Sequence, residues 1–288
     1  MGFFYKAGGA AGTSVHEESS YTALATAAKT LDHAQLMRDT STDFYYKNWK
    51  TGGPGIPVPV RYFDDVTGYF ADASYSAYIQ PSDTLADLTG RGWTATEPGT
   101  SSVTKSASAA LVVDSPANSN DTPSLGFQST GRNERYLMIV DIDSLAVGTS
   151  GGYTQGVADV FEPHDISKSP NGRFLHYQNW SYDTVSNSSI NYYVRYSGFS
   201  AYNGAGPANA FSSGWIFRVF DVNTAHLWSA ELATDSELQQ IFDYGQATGS
   251  GFSENATGDK FRFMCLAPSS GSHTQYTYSV NEFHMLKI

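Results

Sequence analysis

The chain has 288 residues, with 28 Asp and Glu against 17 Lys and Arg for a net charge of −11, and one cysteine. A chain of this length buries roughly 75% of its unfolded surface and needs no covalent staples; the lone Cys265 excludes an intramolecular disulfide and the Cys-rich zinc patterns. No cluster of Lys and Arg occurs, which disfavours both nucleic acid and an anionic membrane as partners.

Residues 1–20 are small, Gly-rich and polar, and read as an arm. They contain no apolar stretch of a signal peptide's kind, so the expectation is synthesis and retention in the cytosol unless a particle carries the protein out. The spacing of Ala23, Leu24, Ala27, Ala28, Leu31, Ala34 and Met37 predicts a helix over 17–38 with a narrow apolar stripe. Next come an aromatic, strand-like segment at Phe44–Trp49 and the Gly-Gly-Pro-Gly break at 52–55. The alternate prolines of Ile56-Pro57-Val58-Pro59 force extended backbone and forbid a central strand. Leu24, Ala28 and Leu31 on the helix, with Ile56, Pro57, Val58 and Pro59, are therefore the candidate assembly surface. Residues 1–88 form an attachment or oligomerisation segment.

From residue 89 to 288 the pattern is consistently β. Short runs of Val, Ile, Tyr, Phe and Thr alternate with Gly, Asn, Ser and Pro clusters. Strands are predicted at 91–95, 101–106, 109–113, 124–128, 135–142, 155–161, 173–178, 190–196, 215–221, 225–230, 260–266 and 276–287. The run at 135–142 is almost wholly apolar, as a central strand requires. Asp235–Tyr244 is predicted as a short helix with Leu238, Ile241 and Phe242 on one face. So many short strands with few helices make a mainly β fold: a jelly-roll, lectin-like antiparallel sandwich preceded by a helix and an extended arm.

The stretch 176–202 is the candidate ligand surface. Trp180, Tyr182, Tyr192, Tyr193, Tyr196 and Tyr202 lie there among Asn, Ser and Gly. Aromatic rings stack on the apolar faces of sugars while amides and hydroxyls meet sugar hydroxyls.

Three passages carry a resemblance. Gly92-Trp93-Thr94-Ala95-Thr96, Trp215–Asn223 and the closing run Tyr276–Met285 resemble the opening, central and closing strands of concanavalin/laminin-G-like jelly rolls. The resemblance implies a closing strand that pairs back near the first strands of the domain. Laminarinase-type members carry Glu-x-Asp-x-x-Glu on one strand, and that signature is absent. Asp141-Ile142-Asp143 puts two carboxylates on one face, but no Glu follows at the required spacing, so it reads as a solvated strand end. No Gly-x-Ser-x-Gly elbow occurs. Glu162-Pro163-His164-Asp165 reads as a polar loop, and Asn118–Asp121 and Asp221-Val222-Asn223 are weak matches to calcium loops. The expectation is no enzyme, no metal and no cofactor.

The whole layout, a small N-terminal element joined to a β-rich domain, resembles phage and virus particle proteins such as tail fibres, spikes and capsid decorations. That resemblance implies a virion structural protein and virion localisation. Its partners would be other virion proteins and further copies of itself, a trimer above all, with host-surface glycans as ligand. The alternatives are a free glycan-binding lectin-like module and, behind it, a polysaccharide-degrading enzyme.

Overall fold

The computed structural model describes residues 14–60, 74–117, 121–128, 135–146, 157–162, 173–177, 214–221, 226–232, 242–246, 260–265 and 275–287. The chain divides into two compact units, Met1–Tyr75 and Ser76–Ile288. Among the described residues no helix is long and apolar enough to cross a membrane.

The first unit contains β1 (His16–Glu18), α1 (Tyr21–Ala28), β2 (Leu36–Asp39), β3 (Phe44–Trp49) and β4 (Ile56–Pro59). The strands form one sheet in that order, with β1 parallel to β2 and the rest antiparallel. Helix α1 is much shorter than the predicted 17–38. It starts at the Ser20 cap, whose hydroxyl accepts from the Ala23 amide at 3.2 Å. It stops where a strand residue takes over its carbonyls. Asn48 Nδ2 donates to the carbonyls of Ala28, Leu31 and Asp32 at 2.9, 3.1 and 3.0 Å, and Lys50 Nζ donates to those of Lys29 and Leu31 at 2.9 and 3.1 Å. Both put positive hydrogen at the negative end of the helix. The chain then reverses through Ala34 in a left-handed conformation, φ 63°, and Leu36–Asp39 alternates as a strand with Met37 buried.

The proline stretch is an edge strand, β4, as the missing N–H groups require. Gly55, at φ +99°, lets it approach the helix: a Cβ there would lie 2.3 Å from the Ala28 carbonyl oxygen. Leu24, Ala28, Ile56 and Val58 are all fully buried, beside Tyr46 and Met37. The residues expected to face a neighbouring subunit are the core of this small unit.

The second unit contains α2 (Leu85–Gly90), β6 (Thr94–Thr96), β7 (Ser102–Thr104), β8 (Leu111–Ser115), β9 (Ser124–Gln128), β10 (Arg135–Ala146) and β11 (Val157–Glu162). It continues with β12 (Arg173–Tyr177), β13 (Gly214–Asp221), β14 (His226–Leu232), β15 (Phe242–Gln246), β16 (Lys260–Cys265) and β17 (Tyr276–Lys287). A larger sheet runs β15-β14-β13-β10-β17-β8-β7, with β5 (Ser74–Ile79) also paired to β17; a smaller one runs β12-β11-β16-β9-β6. This is the jelly-roll, lectin-like sandwich. The closing strand β17 pairs back to β8 and β5, near the start of the unit. Where a helix is predicted over 235–244, residues 242–246 are strand β15, paired antiparallel to β14. Phe242 and Tyr244 are spaced for a strand, and pairing to β14 outweighs the local helical spacing. The predicted strand 190–196 lies outside the described residues.

The core lies between the sheets. Tyr136, Met138, Val140 and Ile142 of β10 and Phe283 and Met285 of β17 meet Leu125 of β9 and Phe261, Phe263 and Cys265 of β16. Phe283 stacks on Phe261 with ring centroids 4.7 Å apart and stands edge-on to Phe263 at 5.0 Å. Trp93 closes the edge, stacked on Phe263 at 6.2 Å. Cys265 is a buried hydrophobe whose Sγ donates to the Val113 carbonyl at 3.1 Å; burial pushes its thiol pKa well up, so it stays protonated and inert.

Candidate functional site

Strand pairing assembles a groove on the face of the smaller sheet that points away from the core. Thr94 of β6 stands opposite Gly126 of β9, and Gly126 stands opposite Arg262 of β16. In the next row Thr96 faces Ser124. The alternation puts Leu125 and Phe263 inward and Thr94, Thr96, Ser124, Gly126, Gln128 and Arg262 outward. These residues line a cavity of about 190 Å³ together with Gly92, Phe127 and Phe261.

Gly126 makes the depression. A Cβ on it would lie 3.1 Å from Arg262 Cγ and 3.5 Å from the Phe261 carbonyl oxygen. With no side chain there, the stem of Arg262 lies across Gly126 on the neighbouring strand, its Cδ 3.6 Å from where that Cβ would be. The near rim is fixed by α2. Thr84 and Asp87 form a reciprocal capping box, with the Asp87 carboxylate accepting from the Thr84 amide at 2.8 Å and from its hydroxyl at 2.6 Å. These bonds hold the Asp87 pKa below the ordinary carboxylate range. At the other end Arg91 grips Asp83 with both guanidinium nitrogens and lies over the Tyr78 ring at 4.4 Å. The Gly92 and Trp93 amides then donate to the Thr89 and Leu88 carbonyls. With Trp93 buried, Gly92 and Thr94 are presented at the rim.

The larger sheet carries a different polar group on its own far face. Asp141 of β10 stands opposite Glu282 of β17 and opposite Trp215 of β13. Ile139 stands opposite His284 and Phe217 in the adjoining row. His284 Nε2 lies 2.8 Å from Glu282 Oε1, with side-chain exposures of 0% and 5%. The β10–β17 register shifts on both sides of Ile142, directly beside the Asp141–Glu282 pair; bulges of this kind re-aim neighbouring side chains. Just beyond, Ser279 Oγ donates to Asp143 Oδ2 at 3.1 Å. Among the described residues no group of His, Cys, Asp and Glu has the geometry of a metal site.

Sequence reasoning placed the ligand surface elsewhere. Trp180, Tyr182, Tyr192, Tyr193, Tyr196 and Tyr202 all lie outside the described residues. Leu24, Ala28, Ile56, Pro57, Val58 and Pro59 are buried and Leu31 half-buried, and their packing lies within the first unit. Apart from Thr96, the groove residues fall on the predicted strands 91–95, 124–128 and 260–266, to which the sequence reading assigns no role. The available signal was Ser-Leu-Gly-Phe-Gln at 124–128, where a glycine occupies an outward position between two polar ones. In sequence Asp141 reads as a solvated strand end; β10 in fact runs on to Ala146, and Asp141 is half-buried opposite Glu282. Glu282 and His284 carry no signal in sequence, because their significance depends on which strand pairs with β17.

No protein-family model matches the chain, and no curated protein matches it. Among solved structures it is similar to peanut lectin with a 9mer peptide, at 12% identity over 75% of this chain and 98% of that one, with a TM-score of 0.44. It is similar to the Emp47p carbohydrate recognition domain at 10% identity, covering 76% and 98% of the two chains with a TM-score of 0.38. The endo-1,3-beta-glucanase from Streptomyces sioyaensis is similar at 9% identity, covering 75% and 96% with a TM-score of 0.37.

These findings correct the particle-protein expectation. The similar structures are lectin, carbohydrate-recognition and glucanase folds, and none of the three is a fibre, spike or capsid decoration. Virion localisation, virion partners and trimeric assembly fall with it. The supposed assembly stripe is also buried within one chain. The expectation of a non-enzyme is corrected too: a glucanase is among the similar folds, and Asp141 has a second carboxylate directly across from it.

Proposed function

We propose that this chain is a carbohydrate-binding β-sandwich module and that the groove on the smaller sheet receives a sugar. The observation that carries the reading is the lining itself. Thr94, Thr96, Ser124, Gln128 and Arg262 line the groove around Gly126, with Phe127 among them. A pyranose needs this mixture: donors and acceptors for its hydroxyls and an apolar surface for its C–H face. The cavity of about 190 Å³ is below the roughly 300–1,000 Å³ of drug-sized pockets, so it suits one ring of a longer glycan. Neutral hydrogen bonds contribute about 0.5–1.5 kcal/mol each. A handful of them gives a Kd on the order of 0.1–1 mM for one ring.

The test is a glycan array followed by titration of the best ligand, run on the native chain and on Gly126→Ala. The methyl group presses on the Arg262 stem and shifts it, so binding is expected to weaken at least tenfold with little change in thermal stability. Unchanged affinity in the variant would move the site off this face.

A second reading is favoured by the carboxylates on the larger sheet. Asp141 and Glu282 are directly opposed across β10 and β17, and retaining glycosidases work with two facing carboxyl groups. Asp141 and Glu282 would then divide the roles of nucleophile and acid, with His284 orienting Glu282 and Trp215 beside Asp141. If so, the native chain hydrolyses a β-glucan and Asp141→Asn and Glu282→Gln each reduce the rate at least 100-fold. A native chain inert on a panel of glucans would remove this reading and leave the binding module standing.

A further inference from the structure

Lys105, directly after the edge strand β7, is buried, at 6% exposure. Its Nζ donates to the carbonyls of Pro81, Asp83 and Ser106 at 2.9, 2.8 and 3.1 Å. Three acceptors take all three hydrogens of an ammonium, whereas a neutral amine has only two, so the group is a cation. Burial costs it hydration and lowers its pKa, and the Asp83 carboxylate acts the other way. That buried carboxylate accepts from the Gln80 amide at 2.6 Å and from both terminal guanidinium nitrogens of Arg91. The cage of carbonyls is also held from outside the lysine side chain. The Ser108 amide donates to the Pro81 carbonyl at 2.9 Å and the Ala109 amide to the Ser106 carbonyl at 3.0 Å. The Leu85 amide, at the start of α2, donates to the Lys105 carbonyl at 2.9 Å.

We propose that this cage is a site for a monovalent cation of potassium or ammonium size, and that Lys105 fills it with the chain's own ammonium group. A carbonyl left without a donor in the interior costs free energy, and one cation satisfies several carbonyls at once. The spacing selects the ion. Oxygens 2.8–3.1 Å from the central nitrogen stand too far out for calcium, bound at about 2.3–2.6 Å, or magnesium, at about 2.0–2.1 Å. They suit a larger ion of single charge, with the Asp83 carboxylate as the nearby anion. Tethering the cation to β7 makes its occupancy independent of the ions in the medium. The loop 80–84, from which α2 starts, is thereby closed at any salt concentration.

The experiment compares the full native chain with Lys105→Ala and Lys105→Met by thermal unfolding in ammonium, potassium, sodium and choline chloride at equal ionic strength. Alanine empties the cage and leaves room for an ion, whereas methionine keeps the stem and blocks the cage with a methyl group. In choline chloride both variants are expected to unfold about 5 °C or more below the native chain. Ammonium and potassium are expected to recover at least about half of that loss in Lys105→Ala, along a saturating curve as a bound ligand requires, and none of it in Lys105→Met. Each value is read against the native chain in the same salt. If Lys105→Ala is unfolded in choline chloride, the readout is recovery of the folded chain on adding ammonium. A Lys105→Met chain as stable as the native one would show that the carbonyls need no cation. An alanine variant that responds alike to all the salts, or does not recover, would show that the cage holds no ion. Either result overturns the proposal.

Discussion

The two sheets of the sandwich turn very different outer faces away from their shared core. On the smaller sheet Thr94, Thr96 and Gln128 are exposed and Gly126 has no side chain beneath the Arg262 stem. On the larger sheet the corresponding positions, Leu137, Ile139, Phe217, His284 and Leu286, have no solvent exposure. The same two-residue alternation generates both, so pleating alone does not decide which face is open. The outward residues decide it. Small and hydroxylated ones make a surface that exchanges water for a polar ligand at little desolvation cost. Large apolar ones make a surface that is stable only when covered, and any polar group placed there must be paired. His284 and Glu282 obey that rule by bonding to each other.

Substitutions sharpen the contrast. The largest effect is expected at Phe283, which lies inside the sandwich and contacts aromatic rings from the opposing sheet. Phe283→Ala should cost about 3–5 kcal/mol in urea unfolding; a loss below about 1 kcal/mol would mean that the sheets do not share one packed interior. Glu282→Ala comes next. It leaves His284 buried without this carboxylate and should cost about 2–3 kcal/mol, of which Glu282→Gln restores a part. Thr96→Ala on the open face should change stability by no more than about 0.5 kcal/mol. If Glu282→Ala were equally silent, the far face of the larger sheet would be as open as that of the smaller one.

Strand positions were legible because alternation and turn residues are local. The predicted 124–128 and 276–287 coincide with β9 and β17, and Arg135–Ile142 reads as central because both of its faces are covered. The helix over 17–38 was not legible, because its early stop depends on Asn48 and Lys50, which arrive from a later strand. The candidate site failed for the same reason. Thr94, Gly126 and Arg262 are far apart in sequence and become neighbours only through the pairing order β6-β9-β16. Asp141 and Glu282 meet only because β17 lies beside β10. Aromatic density drew the reading to 176–202 instead, since composition is visible in one dimension and register is not.

The smallest expected effect belongs to the rim of the groove and depends on pH. Asp87 caps α2 as an anion, and the Thr84 hydroxyl and amide that bond its carboxylate hold its pKa below the ordinary range. A carboxyl whose pKa is lower in the folded than in the unfolded chain binds fewer protons when folded. Its contribution is therefore complete above the unfolded carboxylate's pKa and is lost as pH falls through the lowered folded value. Asp87→Ala should accordingly be slightly less stable than the native chain at about pH 7, and the gap should close as pH falls through the lowered folded pKa. Because α2 runs directly into Gly92 and Thr94, sugar affinity should follow the same pH course in the native chain and a flatter one in the variant. A stability gap independent of pH would mean that Asp87 acts through packing, and that the rim is held by the Arg91–Asp83 clamp alone.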